Sequence, residues 1–294
     1  RLRDAVFRRP AAALHTELHA DDAALPPVYR RQRRIVGALW RQTKMKKNDY
    51  GSLCTEMYEL LHKEAPEDEL AFYLSYARPG MSILEPLCGS GRFLVPFLRR
   101  GLSIQGMDNS REMLDRLLEK APEAQAVLCD LEAYQPTERF DYIFIPSGSV
   151  SLFTDMETCK GILRKMKTLL KAGGRFVFAV DTTATRCPDS DVYTESVSVE
   201  TAEKHRLVLK SKSRYDEATR TQFNPSLYEL YDGGVLLRRE EMDFQIHLYE
   251  PGEMDGMLKA IGFTVDAVYT GFSKETGDPA ASEILIYECT RGQV

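Results

Sequence analysis

The chain has 294 residues, 43% hydrophobic and 28% charged, an ordinary balance for a soluble enzyme with one large core or one core and a subdomain. A net charge of −5 gives no general attraction to phosphate backbones or anionic membranes, so no nucleic-acid partner is expected. Cys54, Cys88, Cys129, Cys159, Cys187 and Cys289 form no C-x-x-C pair and have no histidine at metal spacing, which argues for reduced thiols and no metal.

Residues 1–44 are rich in Arg and Ala, with the pair Pro26–Pro27, the run Tyr29–Arg34 and a single lysine, Lys44. They are set apart as an N-terminal extension from a domain over 45–294. A dispensable extension, a basic arm and an organelle leader are the three readings. Asp4, Glu17, Asp21 and Asp22 weaken the leader, and a solvated extension is preferred. No apolar run approaches the roughly 20 residues of a membrane span, and the start lacks a secretory apolar core, so a cytoplasmic location without membrane contact is expected.

From Tyr50 onward, apolar runs alternate with amphipathic segments. Strands are predicted at Ser82–Cys88, Ser103–Asp108, Ala126–Asp130, Tyr142–Pro146 and Arg175–Val180. Helices are predicted at Arg92–Arg100, Ser110–Lys120 and Asp155–Lys171, ended by Gly101 and by Gly173–Gly174. Pro96 should bend or shorten the first of them. The rhythm is that of an α/β, Rossmann-like doubly wound sheet.

After Asp181 it changes. Tyr193–Val199, His205–Arg214, Ser226–Asp232 and Val235–Tyr249 read as antiparallel strands, the last two joined through Asp232-Gly233-Gly234. They make an inserted antiparallel β lid over about 190–249, before helix and strand return at Pro251–Tyr269 and Ser282–Thr290.

In an open α/β sheet the ligand sits beyond the carboxyl ends of the strands, so the turn after the first strand is the first place to look. Gly89 and Gly91 let backbone approach a ligand, but a dinucleotide fingerprint is incomplete, with Leu94 where its third glycine belongs. Glu85 at the end of the first strand suits an ammonium better than a phosphate. Asp108 ends the second strand, where a carboxylate can accept both ribose hydroxyls. Asp130 ends the third and could take an adenine amino group while the Leu131 N–H meets a ring nitrogen. Three strand-end acids describe an adenosine carrying a cationic amino acid.

The motifs E-x-x-C-G-S-G, GMDNSREML, CDLEAY and FDYIFIPSGS, in that order, resemble the class I S-adenosylmethionine-dependent methyltransferases over about Tyr50–Thr290. The resemblance implies a seven-stranded sheet and S-adenosyl-L-methionine as cofactor. It places Glu85, Cys88 and Gly89 around the methionyl part, with Gly91 and Pro146 in the cofactor-binding loops. Asp108 falls at the ribose, Asn109 and Met113 at the adenine region, and Asp130 with Leu131 at the adenine edge, although Met113 could equally be plain core. The family usually has glycine where Leu87 stands, so the methionyl end is expected to be held differently.

Tyr50–His62 and the late antiparallel strands resemble small-molecule members, amino-sugar and glycine N-methyltransferases among them. This implies that Tyr50 and Tyr58 line the cofactor pocket and approach the methyl donor; an amphipathic helix burying aromatics explains Tyr50 and Tyr58 equally well. Amino-sugar enzymes carry a histidine base after the fourth strand, and Ser151 stands in that position here.

His247 is the candidate replacement base, with a packed core histidine as the alternative. Ser147 and Ser149 could orient a substrate, and Tyr228, Tyr231 and Tyr249 could shape an acceptor pocket or be core. The expected activity is methyl transfer to an N or O atom of a small metabolite, in a chain that could form a homodimer. An NAD-linked oxidoreductase and a non-catalytic S-adenosylmethionine-binding module are the rivals.

Overall fold

A computed structural model describes residues 46–292; the extension assigned to 1–44 lies outside the described residues. The first strand, β1 (Lys46–Lys47), is followed by helices α1 (Ser52–Leu61) and α2 (Glu67–Leu74). Then come β2 (Ser82–Pro86), α3 (Leu94–Leu98), β3 (Ser103–Asp108), α4 (Arg111–Lys120), β4 (Gln125–Leu128) and β5 (Phe140–Ile145). After α5 (Met156–Leu169) and β6 (Leu170–Asp181) the chain runs through β7 (Ser190–Glu200), β8 (Arg206–Asp216), β9 (Thr221–Asp232) and β10 (Val235–His247). It closes with α6 (Glu253–Ile261), β11 (Phe263–Tyr269) and β12 (Ile284–Arg291).

The main sheet has seven strands in the order β11-β12-β6-β5-β2-β3-β4, parallel from β4 to β6, with β12 antiparallel to both its neighbours. Strand order reverses between β2 and β5, the switch point where such sheets open a crevice. Side-chain alternation splits the apolar strands between two faces. Leu84, Ile143, Ile145, Phe176 and Phe178 pack with Met166 of α5 and Leu258 of α6. Ile83, Tyr142, Phe144 and Val177 pack with Phe72 and Tyr73 of α2 and Phe97 of α3. Because both faces are covered, polar side chains are displaced to the strand ends.

The second sheet, ordered β1-β10-β9-β8-β7, is antiparallel except that β1 joins β10 in parallel. Gly233 (φ 51°) and Gly234 (φ 89°) make the β9–β10 turn in the left-handed conformation that matches strand twist. Leu53, Cys54 and Met57 of α1 fill the space beneath Leu207, Leu209, Tyr228 and Met242.

Several expectations are adjusted. Helix α3 is cut to Leu94–Leu98 around Pro96, and β2 stops at Pro86 because Leu87 turns to φ 57°. The glycine pair Gly173–Gly174 lies in an irregular start of β6 rather than closing α5, which ends at Leu169. Helix α2 is additional. Among the described residues no helix is long and apolar enough to cross a membrane, and no group of side chains could hold a metal ion.

Candidate active site

A cavity of about 680 Å³ opens at the carboxyl ends of β2, β3, β5 and β6, beneath the antiparallel sheet. Tyr50, Tyr58, Leu87, Gly89, Arg92, Asp108, Asn109 and Met113 line one end. Ser147, hydrogen-bonded to Arg92, leads from there to Ser149, Asp181 and Thr185, under Gln222, Asn224, Phe244 and Ile246 of the roof.

The turn after β2 is shaped by three positive φ angles, at Leu87, Gly89 (52°) and Gly91 (81°). Leu87 holds a left-handed conformation that costs a non-glycine residue about 1–2 kcal/mol. The Cys88 N–H bonds Met107 O at 3.0 Å and the Leu87 side chain packs on the core, which keeps it there. Leu87 thus holds a positive φ of the kind that glycine adopts without strain. Gly91 faces inward, not the cavity: a Cβ there would stand 2.3 Å from Leu117 Cδ1. Its role is packing.

Asp108, buried at the end of β3, accepts the Gly89 N–H at 2.8 Å through Oδ2 and the Ser110 N–H at 2.9 Å through Oδ1. Burial pushes its carboxyl up, while those two N–H groups hold it down. Glu85 lies behind the wall, 2% exposed, and its Oε2 has no hydrogen-bond partner among the described residues. Burial raises it well above the usual carboxylate range, against the pull of the Arg92 guanidinium. A buried carboxylate oxygen without a donor suits a cationic ligand group.

Two residues of this end were not anticipated. Arg92 is buried, donates to Ser147 Oγ at 2.9 Å, lies 3.9 Å from Glu69 Oε2, and leaves its Nε without a partner among the described residues. Glu69 of α2 accepts the Ser147 N–H at 2.8 Å, which holds Ser147 at φ 57°. A cation inside a glycine turn is a sequence signal that could have flagged Arg92. Glu69 gave none, since its helix was unforeseen.

The residues assigned to the adenine side fall in different places. Asn109 and Met113 line the cavity, whereas Asp130 is exposed and Leu131 is buried in the core. Asp130 Oδ1 accepts from Asn109 Nδ2 at 3.2 Å, and its carbonyl takes the Ala133 and Tyr134 N–H groups. Cys88 and Pro146 are buried beside the cavity and do not line it; the Pro146 carbonyl accepts the Ser149 N–H at 3.1 Å.

His247 is not at the cavity. It is 1% exposed, with Nδ1 3.0 Å from Thr219 O and Nε2 2.9 Å from Glu253 Oε1, and its ring meets Tyr249. A base must reach the acceptor, and this imidazole is occupied on both nitrogens. Ser151 is fully buried, its Oγ accepting the Asp181 N–H at 2.9 Å, so its role is to brace β6. Tyr228 receives the Cys54 thiol, Tyr231 donates to Glu229, and Tyr249 pairs with Cys159; none of these tyrosines lines the cavity. Ser147 and Ser149 do.

Residues 83–174 match the family model described as a methyltransferase domain. YqeM of Bacillus subtilis (strain 168), provisionally named a methyltransferase, is 24% identical over 252 residues, covering 81% of this chain and 95% of that protein. Among solved structures, an S-adenosylmethionine-dependent methyltransferase from Clostridium acetobutylicum superposes with TM-score 0.65 at 16% identity, over 81% of this chain and 97% of that one. The sugar N-methyltransferase KedS8 of a Streptoalloteichus species does so with TM-score 0.58 at 18% identity, over 95% and 98%. The seven-stranded sheet with its separate antiparallel sheet is thus a Rossmann-like methyltransferase fold.

Proposed function

We propose that this chain, which carries a methyltransferase domain with S-adenosylmethionine as methyl donor, transfers the methyl group to a nitrogen or oxygen atom of a small metabolite. The observation that carries the reading is the continuity of the cavity. One space of about 680 Å³ joins the glycine turn and Asp108 to the lid residues, within the size range of small-molecule sites. The likeness to the sugar N-methyltransferase KedS8 supports a small acceptor.

The residues present fit the donor. Glu85, with its unpartnered oxygen, and Arg92, with its unpartnered Nε, would hold the ammonium and carboxylate of an amino-acid end. Asp108 would take the ribose hydroxyls. Asn109 and Met113, which line the cavity, would meet the adenine, and Asp130 would steady Asn109 from outside. When bound, S-adenosylmethionine supplies a methyl group already made electrophilic by its sulfonium.

The chain's own work is then to align an acceptor and exclude water. Tyr50 and Tyr58 close the cavity from the α1 side, and the Arg92–Ser147–Glu69 set fixes the loop after β5 that faces the acceptor. Of the catalytic candidates His247, Ser151 and Tyr50, only Tyr50 lines the cavity, and it would approach the methyl donor. The six free cysteines accord with a cytoplasmic enzyme.

Calorimetry with S-adenosylhomocysteine and with NAD tests the reading. Binding of the first and not the second, with S-adenosylhomocysteine released from S-adenosylmethionine on addition of a metabolite extract, is the expected result. Preference for NAD would overturn it, and tight binding without turnover would leave a cofactor-holding module in its place.

A further inference from the structure

The roof of the cavity carries a feature that donor binding does not use. On β9, Gln222, Asn224, Ser226 and Tyr228 share one face, since alternate residues of a strand point the same way, and all four are buried. Across the ladder Gln222 faces Ile246 and Asn224 faces Phe244, so two amides interrupt an otherwise apolar surface. Gln222 is satisfied at both ends: Oε1 accepts the Cys187 N–H at 3.1 Å and Nε2 donates to Ser213 Oγ at 2.8 Å. Asn224 is not. It is 1% exposed, it lines the cavity, and its Oδ1 has no hydrogen-bond partner among the described residues.

A buried amide oxygen without a donor is destabilising, and leucine, which has the same branching, would avoid the cost. The backbone beside it is also interrupted. The β8–β9 ladder pairs Ser211 with Ser226 and Arg214 with Phe223 and skips Asn224 and Pro225. Proline has no N–H to give and is out of place in a strand flanked on both sides. Both the side chain and the ladder are thus locally suboptimal at the point where the sheet covers the cavity, the pattern expected where binding outweighs stability.

We infer that Asn224 is a specificity residue for the methyl acceptor: its side-chain oxygen receives a hydrogen bond from an N–H or O–H on the acceptor's polar head. The acceptor's apolar part rests on Phe244 and Ile246, which flank the amide, and on Phe153 in the same cavity. An acceptor lacking that donor leaves the amide unpaired and is disfavoured. This rests on the small-molecule methyltransferase reading and assigns the residue that selects its substrate.

The test is calorimetry on the full chain saturated with S-adenosylhomocysteine, using cyclohexylamine and cyclohexanol as probes that share a ring and differ in the head. The wild type binds at least one probe. Asn224→Leu weakens that binding tenfold or more, leaves S-adenosylhomocysteine affinity within twofold, and raises the melting temperature by about 2–4 °C because the orphaned amide is gone. Asn224→Asp, which keeps an acceptor oxygen, retains binding, and the tighter of the two probes identifies nitrogen or oxygen as the recognised atom. Failure of both probes to bind the wild type, or equal binding by Asn224→Leu, overturns the assignment. Failure of S-adenosylhomocysteine itself to bind the wild type removes the methyltransferase reading instead.

Discussion

The two sheets place their polar groups by opposite rules. In the seven-stranded sheet both faces of the central strands are covered, those strands are mainly apolar, and the cavity-facing polar groups stand at strand ends, as Asp108 closes β3 and Asp181 closes β6. In the lid sheet one face looks to the cavity and α1, polar and apolar residues alternate, and Gln222 and Asn224 sit within β9. In the first sheet, position along the chain almost names the function. In the second, a polar residue in mid-strand has to be separated from ordinary alternation by its burial and its missing partner.

Substitutions can break this contrast, beginning with the glycine turn. Gly91→Ala should cost about 2–5 kcal/mol of unfolding free energy, from the left-handed φ and the collision with Leu117. Gly233→Ala, left-handed but in open space, should cost only about 1–2 kcal/mol; equal losses in denaturant titrations would refute the packing role of Gly91.

His247→Ala should come next, at about 2–3 kcal/mol of stability, with kcat of the folded enzyme unchanged. A collapse of kcat with normal stability would restore His247 as a base. Although burial would raise Glu253, bonds from His247 and Arg220 bring it to about 2. Its folded value lies below its unfolded one, so it stabilises above the usual carboxylate range, and that contribution fades as pH falls toward 2. The acid limb of a stability–pH curve should therefore flatten in Glu253→Gln.

Asp108→Ala should lose about 1–3 kcal/mol of S-adenosylhomocysteine affinity by calorimetry, and unchanged affinity would take Asp108 out of the site.

The smallest effect concerns Glu85. Its folded value is raised, so the folded state keeps a proton that the unfolded state releases, and stability falls as pH rises past the usual carboxylate range. Glu85→Gln should remove that fall. Binding an ammonium should expel the proton, and calorimetry in buffers of different ionisation enthalpy should count the release of up to one. No buffer dependence would mean that Glu85 never meets the cation.

Most of the main sheet was legible because strand periodicity is a local signal, whereas the Gly173–Gly174 stop was misleading. Ser103–Asp108 falls on β3, and the four antiparallel strands fall on β7 to β10 with shifted ends. Helix α2 escaped because EDELAFYL mixes acids and aromatics, and with it went Glu69. In sequence Asp130 closes a predicted strand and so points to the adenine, but β4 ends two residues earlier and the carboxylate serves Asn109. Imidazole chemistry makes any histidine an apt base in sequence, while the withdrawal of His247 is a matter of packing by Thr219 and Glu253, residues 28 and 6 positions away. Asn224 lacked any signal, since an orphaned amide is visible only once its surroundings are built.

Asn48 gives the short β1 an importance beyond its two residues. Its amide nitrogen reaches Leu152 O at 3.2 Å and Gln245 O at 3.0 Å, and its oxygen takes the Gln245 N–H at 2.8 Å. One side chain therefore rivets β10 to the loop after β5, so roof and floor cannot part at that seam without breaking the Leu152 bond or both Gln245 bonds. Loosening that rivet, as in Asn48→Ala, should change how fast molecules come and go more than how tightly they are held.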